Sequence, residues 1–154
     1  MDCRPDYIEM CEKAEEIQAK WYPQPGDIFA DKNYSGFSDS LHIYLDNIPT
    51  WGKGLDRHYI VDMAGIRKPQ REFRKDQYIW LPRQDQLQEM VWTHTEGTYN
   101  LLATKLFAFL DYWREHGVPI SFTSMEQLWL CFTMHELYHK EWVNGGWREE
   151  SGQK

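Results

Sequence analysis

The sequence predicts an α+β fold: an N-terminal helix, a small, mainly antiparallel sheet, then two or three packed C-terminal helices. Three observations predict it. Apolar residues recur at spacings of three and four near the start and again over the second half. Between those stretches they alternate, the period of a strand. Gly, Pro and Asn clusters punctuate the alternating stretch. At 154 residues the chain has the length of a single domain, 1–154. Its expected parts are a helix at about 5–21, a strand-rich segment at 27–81, a helical segment at 83–142 and a polar tail at 143–154.

The first helix rests on Tyr7, Cys11, Ala14, Ile17 and Trp21, which share one face. Pro5 suits a first helical turn, and Pro23 and Pro25 stop the helix. Four strands come next: Asp27 to Ala30, Leu41 to Leu45, Arg57 to Met63 and Gln77 to Leu81. The second alternates strictly, placing Leu41, Ile43 and Leu45 on one face. Leu87, Met90 and Val91 mark a helix from about Arg83 to Trp92, and residues 95–97 read as a break. Tyr99, Leu102, Leu106, Phe109 and Trp113 stripe a longer helix from Thr98 to Glu115, and Gly117 and Pro119 form its stop. Thr123 and Glu126 form a capping box that opens a last helix running to about Trp142, with Leu128 and Phe132 buried.

Composition removes several function classes. With 42% hydrophobic and 27% charged residues, the chain can bury a core. A net charge of -7 argues against a globally basic nucleic-acid or membrane-surface binder. No apolar run approaches the roughly 20 residues that span a bilayer. The start lacks a basic-then-apolar leader, which predicts a cytoplasmic protein. The 3 Cys give neither a disulfide framework nor a metal knuckle, and Cys11 and Cys131 read as small buried hydrophobes. Ser35, Ser38 and Ser40 lack a nucleophile elbow, and Trp51-Gly52-Lys53-Gly54 is too short for a phosphate loop.

One motif carries candidate chemistry. His135-Glu136-Leu137-Tyr138-His139 is the HExxH pattern of zinc hydrolases. On a helix, His135 and His139 at i and i+4 would face one Zn²⁺, and Glu136 would act on the metal-bound water as general base. The third ligand is the weakness. Glu141 comes too soon after His139, Glu149 and Glu150 need the tail to fold back, and His94, His116 or Asp111 would have to arrive from upstream. The simpler expectation is a pair of histidines at a helix end, where the dipole favours positive charge, with no cofactor.

The run from Arg67 to Lys75 is the chief candidate for contact with nucleic acid: Arg67, Lys68, Arg71, Arg74 and Lys75 surround Phe73. Against the chain's acidity, a solvated connection between strands is the better expectation.

Trp80-Leu81-Pro82-Arg83-Gln84-Asp85-Gln86-Leu87-Gln88-Glu89-Met90 and Ser124-Met125-Glu126-Gln127-Leu128-Trp129-Leu130 carry a resemblance, together with Cys11-Glu12-Lys13-Ala14-Glu15-Glu16-Ile17. They resemble small uncharacterised proteins encoded in phages and prophages of Gram-positive bacteria. The likeness covers the first helix and most of the C-terminal half, and the segment from Phe29 to Asp76 adds little to it. It implies a mobile-element origin and a bacterial cytoplasm, and no activity. The expected function is that of an accessory protein that binds a protein partner. Zinc hydrolysis and nucleic-acid contact are the two alternatives.

Overall fold

The computed structural model describes residues 1–32, 41–45, 58–62, 67–70, 74–95, 98–115 and 122–149. Helices and small antiparallel sheets make it an α+β protein, in two compact units. One comprises Cys3–Pro82; the other comprises Met1–Asp2 and Arg83–Lys154.

In the first unit, α1 (Pro5–Lys13) and α2 (Glu15–Lys20) replace the single expected helix. The break falls at Ala14 (φ -82°, ψ 68°), whose N–H bonds to the Cys11 carbonyl. Gln18 explains why the break is tolerated: its Nε2 also donates to the Cys11 carbonyl, at 3.0 Å. The apolar stripe survives the break, since Tyr7, Cys11, Ala14, Ile17 and Trp21 are all buried. Pro5 stands in the first turn as expected. Tyr7 Oη donates to the Pro82 carbonyl at 2.6 Å, tying α1 to the end of the sheet.

The strands are β1 (Ile28–Asp31), β2 (Leu41–Leu45), β3 (His58–Asp62), β4 (Arg67–Gln70) and β5 (Tyr78–Leu81). They form one antiparallel sheet in the order β4-β3-β2-β1-β5. Strand β4 is a correction, because a connection is expected over Arg67 to Lys75. Pro69 accounts for the difference: proline in a run argues against a strand, but β4 is an edge, where a missing N–H breaks no ladder. The burial of β2 also differs. His42 and Tyr44 are buried as well as Leu41, so both faces are covered. Phe29, opposite His42 in the register, has its ring 5.6 Å from that imidazole and 4.7 Å from Tyr78. Trp21 stacks on Trp80 at 6.1 Å and holds the carboxylate of buried Asp27 through Nε1 at 2.9 Å.

The second unit contains α3 (Gln84–Thr95), α4 (Tyr99–Glu115), α5 (Met125–Tyr138) and the two-stranded pair β6 (Lys140–Val143) and β7 (Gly146–Glu149). Its core draws on Leu87 and Val91 of α3, Leu102, Phe109 and Trp113 of α4, and Leu130, Phe132 and Met134 of α5. Phe109 meets Phe132 at 5.4 Å. Helix α5 is buried almost all round over Trp129 to Met134; Phe132 is buried as expected, Leu128 only in part. Tyr99 is 79% exposed rather than part of the buried stripe.

The cap of α5 lies one residue later than the sequence suggests. Ser124 Oγ accepts from Gln127 N at 3.1 Å, and Gln127 Oε1 accepts from Thr123 N at 3.1 Å. Glu126 instead pairs with the Met1 amine at 2.9 Å, while Ser124 Oγ donates to Asp2 at 2.6 Å. At its other end α5 stops at Tyr138, four residues short of Trp142, and the expected polar tail is a hairpin through residue 149. Asn144 (φ 51°) and Gly145 (φ 76°) supply the two left-handed residues of a tight turn. Trp142 and Trp147 then face each other across the strands at 5.0 Å. Residues 116–121, with the Gly117 and Pro119 stop, lie outside the described residues. No helix among the described residues is long and apolar enough to cross a membrane.

Candidate functional site

The HExxH segment lies at the end of α5, and its geometry results from that ending. His139 is the C-cap, in the left-handed conformation (φ 54°, ψ 42°), with its N–H bonded to the His135 carbonyl. A non-glycine residue pays roughly 1–2 kcal/mol in that region. The immediate start of β6 at Lys140 forces the reversal. The two histidines therefore do not continue one helical face: His139 is exposed and His135 is half-buried.

The surroundings of the three residues also differ. The His135 ring packs 5.1 Å from Phe109 and 5.5 Å from Tyr112, with Nδ1 buried and without a hydrogen-bond partner among the described residues. Glu136 is tied to Lys105 Nζ of α4 by an ion pair at 2.5 Å. Glu141 is buried in β6, and among the described residues no group of three or more His, Cys, Asp or Glu could hold a metal ion. Of the upstream candidates, His94 is exposed near the Met90 carbonyl and Asp111 is paired with Arg114 at 3.0 Å. His116 and Glu150 lie outside the described residues, and Glu149 is exposed in β7. Among the described residues no third ligand is gathered beside His135 and His139, so the zinc site that the motif implies is not assembled from them.

The basic run is divided. Arg67 and Lys68 belong to β4, where the backbone pairs with Val61 and Ile60; Arg71 and Phe73 lie outside the described residues. Arg74 is exposed and 3.7 Å from Asp76. Lys75 Nζ donates to the carbonyls of Ala19 and Trp21, at 3.1 and 2.5 Å, and so closes the C-terminus of α2. A cleft of about 820 Å³ opens beside it, with Glu12, Glu15, Lys32, Arg74 and Asp76 among its lining. Charges of both signs line it.

A smaller groove of about 350 Å³ was not evident from sequence. Asp85, Gln88, Glu89 and Trp92 of α3 line it with Tyr99 and Leu102 of α4. The spacing of three, four and seven from Asp85 is the signal that could have found the α3 wall. Trp92 and Tyr99 meet there at 4.4 Å, with ring planes 42° apart. Arg83 grips both oxygens of Asp85 at 3.1 Å and holds its carboxyl below the usual carboxylate range. Elsewhere, Cys131 is buried, and that burial pushes its thiol far above the ordinary range, the opposite of an activated nucleophile. No family model, curated protein or solved structure matches this chain.

Proposed function

We propose that this protein acts by binding a protein partner, as an accessory protein of the kind phages and prophages encode, in a bacterial cytoplasm. One observation supports the binding of a partner: α4 presents a second apolar stripe beside its buried one. Tyr99, Ala103 and Phe107 recur every four residues on it, and Tyr99 is 79% and Phe107 68% exposed. Leu106 and Leu110, half-buried, connect that stripe to the buried face. Large rings left in water at helical spacing are the anchors that helix-mediated interfaces use.

The test places a photo-crosslinking amino acid at Ala103 or at Ala108, on another side of α4, in cells that express the chain. A discrete adduct from position 103, absent at 108 and abolished by Phe107→Glu at unchanged melting temperature, supports the reading. Adducts indifferent to Phe107→Glu, or equal at both positions, overturn it.

A further inference from the structure

We propose that the α3–α4 groove binds an alkylammonium group, a primary ammonium on a short aliphatic stem. The site is distinct from the Phe107 stripe and shares only Tyr99 with it. The lining sets the class of ligand. Leu102, 5% exposed, gives an apolar floor, and Trp92 and Tyr99 add π faces. Such faces attract cations and repel anions.

Charge selects the head group. Asp85 and Glu89 lie four apart on α3, where like charges repel. Arg83 neutralises Asp85. Glu89 is exposed and has no hydrogen bond or ion pair among the described residues. An ammonium at Glu89 would relieve that repulsion, with the Gln88 side-chain carbonyl on the same wall as a further acceptor. The net charge of -7 favours the same sign of ligand at longer range.

At about 350 Å³ the groove has room for an ammonium on a short aliphatic stem. The two rings touch each other, so the ammonium sits against their open faces rather than between them. A lysine side chain and a free polyamine both carry this group.

The experiment tracks the indole N–H resonance of Trp92 in ¹⁵N-labelled protein, assigned with Trp92→Phe. Butylammonium is titrated beside butanol, which has the stem without the charge. The expected result is a saturable shift with butylammonium alone, weakened about three- to tenfold by Glu89→Gln or Tyr99→Leu and unchanged by Phe107→Glu. Glu89 and Tyr99 are both exposed, so neither substitution threatens the fold, and the other indole resonances check this directly. Spermidine and a blocked lysine peptide then separate the sources: the tighter of the two identifies the one the groove fits. No saturable shift, an equal response to butanol, or indifference to both Glu89→Gln and Tyr99→Leu overturns the proposal. Because Phe107→Glu tests the partner surface alone, failure here leaves that reading standing.

Discussion

The side-chain amide of Gln18 pairs with both backbone groups of Trp80: Nε2 donates to the carbonyl and Oε1 accepts from the N–H, each at 2.9 Å. It therefore behaves as one residue of an additional strand. Trp80 lies in β5, an edge of the five-stranded sheet, and unpaired edges invite pairing with other chains. The same Nε2 is a second donor, beside the Ala14 N–H, to the Cys11 carbonyl at the α1–α2 break.

Gln18→Ala should cost about 1–3 kcal/mol, because it orphans backbone groups as well as removing their partner. It should also increase self-association at the uncovered β5 edge. Urea unfolding and light scattering report the two effects separately, and a variant as stable and as monodisperse as wild type would deny Gln18 this role.

Two phenylalanines should respond in opposite ways. Phe132 is fully buried, so Phe132→Ala should cost roughly 3–5 kcal/mol. Phe107 is 68% exposed, and Phe107→Ala should change stability by less than about 0.5 kcal/mol. A comparable loss at both positions would mean that Phe107 belongs to the core and not to a docking surface.

Burial of Cys131 makes stability depend on alkaline pH. The folded state retains the thiol proton that the unfolded chain releases, so the unfolded state binds fewer protons. This contribution is intact below the ordinary thiol range and falls as pH rises above about 8.5, by up to about 1.4 kcal/mol per pH unit. Denaturation between pH 7 and 10 should show that slope in wild type and a shallower one in Cys131→Ala. Parallel curves would refute the linkage.

The left-handed His139 makes a definite forecast about zinc. Protein re-equilibrated with zinc should hold less than one equivalent, and His139→Ala should leave both metal content and the zinc-dependent melting shift unaltered. One zinc per chain, lost in the variant, would favour the hydrolase reading over partner binding.

Much of the fold was legible because its signals are local. The stripe from Tyr7 to Trp21, the alternation at Leu41–Leu45 and the periodicity of α4 each lie within one short stretch of chain. The features that escaped depend on partners distant in sequence. Gln18 breaks no rule of a continuous helix until Trp80 arrives 62 residues later. Pro69 reads as a strand breaker unless β4 is known to be an edge. The HExxH spacing was visible, but the turn at His139 depends on the strand that begins at Lys140. Asn144-Gly145 between Trp142 and Trp147 is the hairpin signal for that strand. The α3–α4 groove needs two helices at once, so its Trp92 and Tyr99 could not be associated from spacing.

That hairpin also has a meaning in time. Its pairs, from Val143 opposite Gly146 to Lys140 opposite Glu149, span only short stretches of chain. Hairpins of such short reach close in about 1–10 μs, with no need to wait for distant segments. Strand β1, by contrast, must find β5 across almost fifty residues. The last strands can therefore acquire their direction early, so that α5 meets an end point already set at His139 when it packs.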